Sequence, residues 1–223
     1  GAQLAGARRN VTQLKPAPRR VERDMTDLWQ QTASAIRDVL DSSGTDPASI
    51  VAVAATAHGD GIYLLDKAGK PLGNGILSLD SRAFEVVDDW QADGTDQRAL
   101  SLTGQVPHVS AHSALLGWLQ RHEPDRFAQI GHVLACKDWL CFCLSGRIGT
   151  DHTEASTSFT EVQSQTWSQE ALELFHLGNL QDALPRADHS ADVVGEVTQA
   201  AADATGLRPG TPVAAGLHDV TAS

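Results

Sequence analysis

Thr211-Pro-Val-Ala-Ala-Gly-Leu-His-Asp-Val-Thr-Ala-Ser223 joins a short apolar run to a histidine and a carboxylate. Val213 to Ala215 is predicted to form a buried strand that runs into Gly216, and a helix is expected to begin at the His218-Asp219 pair. The carboxyl ends of strands are where open α/β folds bind ligands, so Asp219 is a candidate general base. The same pattern also fits a helix N-cap, and these residues alone favour the cap.

Composition narrows the class of protein. The chain has 223 residues, of which 41% are hydrophobic, so it can bury a core as one large domain or two small ones. Its net charge of -11 disfavours nucleic acid and anionic membranes as partners. Cys136, Cys141 and Cys143 lie in one short segment and are interpreted as buried thiols of a reducing compartment, without a metal. No signal peptide, lipidation motif or transmembrane run is recognised, so a cytoplasmic protein is expected.

A helix followed by an apolar strand indicates an α/β fold. Asp24 to Asp41 carries one apolar stripe, Asp24 is placed to cap it, and Gly44 fits its end. After a turn comes Ile50 to Ala55, which is apolar on both faces and is predicted to be a central strand covered by helices. Helix, tight turn and buried strand make half of a βαβ unit.

A glycine-flanked carboxylate follows this strand, in Thr56 to Gly61, and lets a ligand approach the backbone closely. A hairpin is predicted next, with strands Ile62 to Leu65 and Gly75 to Leu79. Asp80 and Arg82 come directly after it. A cap and an ion pair are at least as good an interpretation of these two residues as a ligand site.

The remaining polar positions give weaker signals. His108 and His112 precede an apolar helix, and such histidines are more often surface or capping residues than ligands. Lys137 is expected to open a helix that Gly146 closes, and Thr150 to Ser156 is interpreted as a polar loop near a possible site. The sequence contains neither a P-loop nor a G-x-G-x-x-G pattern.

Four groups of residues, taken together, resemble a known family. In the order of the chain, these groups are His58-Gly-Asp-Gly61 with Leu64 to Asn74, Leu79-Asp-Ser-Arg-Ala83, Cys136-Lys-Asp-Trp-Leu140 with Leu144-Ser-Gly146, and Gly210-Thr-Pro-Val213 through Gly216-Leu-His-Asp219. Together they resemble the amino-terminal domain of FGGY carbohydrate kinases and, within that family, the L-xylulose kinase and erythritol kinase branch.

The resemblance implies a ribonuclease H-like α/β fold of the actin, hexokinase and sugar-kinase type, with a mixed sheet flanked by helices. It implies phosphoryl transfer from ATP, with Mg²⁺, to a hydroxyl of a ketopentose or small polyol. The family's catalytic base corresponds to Asp219. Phosphoryl transfer requires alignment and charge neutralisation more than covalent help from the protein, and a carboxylate base fits that requirement.

The resemblance also implies a set of substrate-binding residues. The family's sugar loop, commonly Gln-Met-His-Gly, corresponds to His58, Gly59 and Asp60 followed by Gly61. At this place Asp60 is expected to accept hydrogen bonds from substrate hydroxyl groups. The departure from the common pattern disfavours ordinary D-xylulose as the substrate. The expected set is completed by His218 and, from a family motif near the sugar, by Asp80 and Arg82.

The two ends of the chain depart from the family. The opening strand with its Asp-x-Gly-x-Thr phosphate loop is not recognised, nor is the ATP-binding carboxyl-terminal domain. Residues 1 to 223 are therefore expected to be a sugar-binding domain that is truncated at both ends and lacks the first strands. Alone, this domain is expected to be inactive and to associate with itself, for example as a homodimer. The alternative is a non-catalytic sugar-binding or regulatory domain of the same ancestry. A metal-dependent hydrolase is disfavoured, since no H-E-x-x-H pattern occurs.

Overall fold

The computed structural model describes residues 2–222. Within these residues lie ten short strands and ten helices, with two 3-10 segments at Pro47–Ser49 and Gly178–Ala183. The strands are β1 (Glu22–Arg23), β2 (Thr56–Ala57), β3 (Tyr63–Leu65), β4 (Gly75–Ile76), β5 (His132–Leu134), β6 (Thr150–Asp151), β7 (Ala187–Asp188), β8 (Val193–Glu196), β9 (Pro212–Ala214) and β10 (Leu217–His218). The helices are α1 (Met25–Ser43), α2 (Phe84–Asp93), α3 (Thr95–Thr103), α4 (His112–His122), α5 (Pro124–Phe127), α6 (Cys136–Ser145), α7 (His152–Ala155), α8 (Gln169–Leu174), α9 (Gln199–Thr205) and α10 (Asp219–Ala222).

The strands pair in both directions, and within residues 2–222 they form five two-stranded sheets, of which two are parallel. β9 is antiparallel to β8 on one side and forms a parallel bridge from Val213 to Val53 on the other. The same two chain segments continue as the parallel pair β10 and β2. Elsewhere β1 pairs with β4 and β3 with β5, both antiparallel, and β6 pairs with β7 in parallel.

Helices α1, α6 and α9 pack against β9 and the segment that leads into β2. The Asp24 side chain accepts a hydrogen bond from the Asp27 amide, as expected for a cap, and α1 ends at Gly44 in the left-handed conformation. Val213 is fully buried in the core that these helices share with the sheet. A second, larger core lies among α2, α3, α4 and α8, around the buried Ile62 and neighbouring hairpin residues. No helix in residues 2–222 combines the length and the apolar character that crossing a membrane requires.

The predicted hairpin is present, although its second strand covers only Gly75–Ile76 instead of Gly75 to Leu79, and the predicted central strand is only partly correct. Ile62 and Ile76 exchange two backbone hydrogen bonds across the hairpin. In the segment 50–55, however, only Val53 forms a bridge, and the strand that follows begins at Thr56. The helices cover only part of this segment, so Val51 is 86% exposed instead of buried. The apolar run therefore predicted the position of the strand but not its environment.

Gly216 allows the two paired segments to approach each other closely. Its φ is +72°, and a Cβ atom built on it would lie 2.0 Å from the carbonyl oxygen of Ala55. Gly44 also has a positive φ, of +62°, but has no atom within 4 Å of a built Cβ. The two glycines therefore share the backbone requirement and differ in the space around them.

We expect Gly216→Ala to lower the free energy of unfolding clearly more than Gly44→Ala. An alanine in the left-handed region costs about 1–2 kcal/mol, and this cost applies to both variants. Only Gly216→Ala adds a backbone clash at Ala55. Urea denaturation of the two variants and the wild type measures the difference. Equal losses of stability would contradict the close approach.

Candidate active site

The parallel pair β2 and β10 brings together two loops that are far apart in sequence. Thr56 lies opposite Leu217, and Ala57 lies opposite His218. His58, the next residue after β2, begins the predicted sugar loop, and Asp219, the next residue after β10, is the predicted base. A Cβ atom built on Gly59 would lie 2.0 Å from the His218 ring, so the two loops are in direct contact there. Only glycine leaves room for this packing.

Asp219 lies at the first position of α10, directly after this contact. Its Oδ1 atom is 3.3 Å from Nε2 of His218, and its side chain is 51% exposed. A carboxylate that is half exposed at the carboxyl end of a parallel strand pair can reach a bound hydroxyl group. The structure therefore leaves Asp219 accessible to a substrate.

Asp60 lies on the opposite loop and is held in an unusual conformation. Its φ is +57°, which is uncommon for residues other than glycine. The loop is fixed by a hydrogen bond of 2.8 Å from the Gly61 amide to the Ser110 carbonyl. The Asp60 Oδ1 atom lies 3.3 Å from Nε2 of His108. Backbone strain of this kind concentrates at functional sites.

The pKa values around Asp60 indicate that its carboxyl group is ionised. Burial raises the pKa of Asp60, but the hydrogen bond from His108 and the nearby charges of His112 and His218 outweigh burial and hold it below its ordinary value. In return, the hydrogen bond to Asp60 raises the pKa of His108. An ionised Asp60 is an acceptor for hydroxyl groups.

His58 is the third polar residue of this loop. Its Nε2 atom is 3.4 Å from the Tyr63 hydroxyl, and its Nδ1 atom is 3.2 Å from the carbonyl of Gly59. Burial lowers the pKa of His58, so the ring is neutral near pH 7. A neutral imidazole offers one donor and one acceptor.

Asp80 and Arg82 are buried elsewhere, in an ion pair. Asp80 is 0% exposed and Arg82 is 4% exposed. The Arg82 guanidinium donates to both Asp80 oxygens, at 2.9 and 2.8 Å, and to Glu22 at 2.7 Å. Asp80 also accepts from the Val21 amide. These bonds agree with the ion pair that the sequence analysis gave as an alternative to a ligand site. A role of Asp80 and Arg82 in sugar binding stays a prediction.

The two histidines that the sequence disfavoured lie near the site. His108 faces Asp60, and His112 is buried at the start of α4, so the expectation of surface or capping roles was wrong for the position of His112. No local pattern reveals the His108 contact, because it joins two loops. The sequence also missed a group of buried charges behind β10, formed by Lys137, Asp138 and Asp151, each at most 2% exposed.

Glu154 is a further buried carboxyl group of this region. It is 1% exposed, and neither of its oxygens has a hydrogen-bond partner in the part of the chain that the structure describes. Burial raises the pKa of Glu154 to about 9, and the charge of Asp138 adds to this although Lys137 opposes it. Glu154 is therefore a neutral acid at pH 7.

The structure also bears on the expected cofactors. Among residues 2–222, no three His, Cys, Asp or Glu side chains converge in a way that holds a metal ion. Mg²⁺ in phosphoryl-transfer sites is usually held by one or two carboxylates together with the phosphates of the nucleotide, so a metal that binds with ATP needs no such group of side chains.

The fold and the two facing loops define a domain of the sugar-kinase class. Xylulose kinase from Rhodospirillum rubrum has a similar structure, with a TM-score of 0.87 and 27% identity over 94% of this chain and 43% of that one. Glycerol kinase from Plasmodium falciparum shares the fold with a TM-score of 0.81 at 20% identity, over 95% of this chain and 43% of that one. The predicted fold of the actin, hexokinase and sugar-kinase type is confirmed.

The chain belongs to the FGGY family of carbohydrate kinases, since the model of the family's N-terminal domain matches residues 1–223. The chain is 40% identical over its full length to L-xylulose/3-keto-L-gulonate kinase of Escherichia coli (strain K12), of which it covers 45%. It is 36% identical, also over its full length, to a probable L-xylulose kinase of Pasteurella multocida (strain Pm70), of which it covers 46%. The family resemblance is confirmed, and the chain spans about half the length of these curated relatives.

The raised pKa of Glu154 predicts a pH-dependent effect of Glu154→Gln. Unfolded Glu154 loses its proton near its ordinary pKa of 4.5, whereas the folded protein keeps the proton until about pH 9. Wild-type stability therefore falls across this range, because only the unfolded state releases the proton. Glutamine does not titrate, so the stability of the variant relative to wild type should grow as the pH rises. Urea denaturation at several pH values measures this, and a difference independent of pH would contradict a neutral Glu154.

Proposed function

We propose that the protein containing this chain transfers a phosphoryl group from ATP to a hydroxyl group of a ketopentose, such as a xylulose, or of a small polyol. Asp219 is the proposed general base. The observation that carries this proposal is the contact between the His58–Gly61 loop and the His218–Asp219 segment at the ends of β2 and β10. The similarity to L-xylulose kinases and the accessible carboxylate of Asp219 both support it.

In this mechanism Asp219 accepts the proton of the attacking hydroxyl group. This requires the substrate oxygen to lie within about 3 Å of the carboxylate. The His218 ring lies 3.3 Å from one Asp219 oxygen and orients it, which leaves the other oxygen for the substrate. Mg²⁺, when bound with ATP, neutralises charge on the phosphates.

Asp60, His58 and His218 are the proposed contacts to the other hydroxyl groups, with Gly59 giving the substrate access to the loop. The ion pair with His108 keeps Asp60 ionised, so Asp60 accepts hydrogen bonds from hydroxyl groups. Both ring nitrogens of His58 have partners in the protein, so His58 binds the sugar by exchanging the Tyr63 hydroxyl or the Gly59 carbonyl for a substrate hydroxyl group. Small polyols are selected by several such bonds, and the loss of one leaves a polar group unpaired. Asp80 and Arg82 have other partners and are not needed for this set.

The buried thiols of Cys136 and Cys141 favour a reducing compartment, and we propose the cytoplasm. Self-association into a homodimer, and the alternative of a non-catalytic sugar-binding domain, remain predictions from the sequence. A coupled assay with ATP, Mg²⁺ and a panel of pentuloses and polyols, on a protein that includes the segments flanking this chain, separates a kinase from a binding domain. Binding without turnover would favour the alternative.

Asp219→Asn should lower kcat by about 10² to 10⁴, the usual contribution of a general base. The KM for the sugar should change little, because asparagine keeps the shape of the side chain and its contact with His218. The matched control is Asp41→Asn, which changes an exposed aspartate at the end of α1. Steady-state kinetics on both variants gives the answer. If Asp219→Asn turned over as fast as the control, Asp219 would not be the base.

Asp60→Ala should act mainly on binding. It should raise the KM for the sugar by about ten- to a hundredfold, since a charge-assisted hydrogen bond contributes about 1.5–3 kcal/mol. The kcat should fall less than in Asp219→Asn, because no proton transfer is lost. The same assay at several sugar concentrations separates the two constants. An unchanged KM would remove Asp60 from the sugar site.

A further inference from the structure

The segment that leads to Asp219 is hydrogen-bonded at both ends to side chains from other parts of the chain. The Lys137 ammonium donates to the carbonyl oxygen of Ala215 at 3.3 Å. The amide of His218 donates to Oγ1 of Thr153 at 2.9 Å. These two contacts enclose the stretch that contains Gly216 and ends one residue before Asp219.

Lys137 is a fully buried cation in this arrangement. Its side chain is 0% exposed, and its Nζ atom lies 2.5 Å from Oδ1 of Asp138 and 3.0 Å from Oδ1 of Asp151. Burial lowers the pKa of Lys137, but the two carboxylates outweigh burial and raise it above its ordinary value. The group therefore stays charged, and its position is fixed because an unpaired charge in the interior is very unfavourable.

Asp151 connects this cation to Thr153. The Oδ2 atom of Asp151 accepts hydrogen bonds from the Thr153 hydroxyl at 2.7 Å, from the Thr153 amide at 3.0 Å and from the Ser190 hydroxyl at 2.7 Å. Asp151 is itself 0% exposed. A carboxylate with these partners is ionised, which agrees with its lowered pKa: burial raises the value, and Lys137 and the hydroxyl groups outweigh burial.

The direction of each bond in this group is determined by the chemistry of its members. An ionised carboxylate only accepts, so the Thr153 hydroxyl must donate its one proton to Asp151. The Oγ1 atom of Thr153 is then left as an acceptor for the backbone amide of His218, and this amide can only donate. Lys137, Asp151 and Thr153 are thus joined in this order, by an ion pair and a hydrogen bond.

We propose that Thr153, oriented by Asp151 and Lys137, is a positioning residue for Asp219. Its hydroxyl group fixes the His218 amide and so sets where α10 begins. Gly216, whose φ is +72°, lies three residues before Asp219, so the backbone of this segment has little rigidity of its own. A displacement of about 1 Å at a reacting group can lower a rate by about 10². The catalytic consequence rests on the proposed function, whereas the fixing of the amide does not.

The test compares Thr153→Val, which keeps the shape of the side chain and removes the hydroxyl group, with Thr153→Ser, which keeps the hydroxyl group. Amide hydrogen exchange by NMR on the protein that contains this chain should show the His218 amide exchanging about tenfold faster or more in Thr153→Val, as a lost hydrogen bond of about 1.4 kcal/mol requires. Thr153→Ser should exchange like wild type. An unchanged His218 amide in Thr153→Val would overturn the proposal.

Kinetics on the protein with its flanking segments tests the link to Asp219. We expect Thr153→Val to lower kcat about tenfold with little change in the KM for the sugar, and Thr153→Ser to restore kcat. In an Asp219→Asn background, Thr153→Val should lower kcat no further, because Thr153 acts through Asp219. Equal losses in both backgrounds would indicate a general structural role and overturn the proposal. If the parent protein phosphorylates no sugar in the panel, the proposed function fails, while the exchange of the His218 amide still decides the positioning.

Discussion

The parallel pairing of β2 with β10 is the interaction on which the site depends. It joins residues 56–57 to residues 217–218, so two loops that are far apart in the sequence leave the paired strands side by side. Parallel strands carry their carboxyl ends to the same edge, which is why ligand sites form there. Gly59 and Gly216 make the approach possible, because a side chain at either position would overlap the facing segment. Without this pairing, the His58–Gly61 loop and the His218–Asp219 segment would have no reason to meet.

Next to this edge, the interior of the domain contains charged side chains as well as apolar ones. Lys137 compensates Asp138 and Asp151, and Glu154 stays uncharged beside them. Buried ion pairs are weak sources of stability, because desolvation offsets most of the attraction. They do fix geometry, since each donor and acceptor has few alternative partners. We interpret this group as a means of orienting the strand end that carries Asp219 more than as a means of stabilising the fold.

The sequence predicted the elements of this domain better than the contacts between them. Local patterns located α1, with its Asp24 cap, and the hairpin around Ile62, because caps, turns and periodicity act over a few residues. The resemblance to a family pointed to the loops of His58 and Asp219. The contacts of His108 with Asp60 and of Thr153 with His218 join segments that are distant in the chain, and no local pattern specifies them. The exposure of Val51 was missed for the same reason, since burial is set by tertiary packing.

The most direct test of the central claim is a crystal structure of the protein, with the segments that flank this chain, bound to a pentulose that it phosphorylates. The account predicts that one substrate hydroxyl oxygen lies about 3 Å from the carboxylate of Asp219. It also predicts that a second hydroxyl group donates to Asp60. A sugar bound away from the His58–Gly61 loop, or with no hydroxyl group in hydrogen-bonding reach of Asp219, would contradict the account.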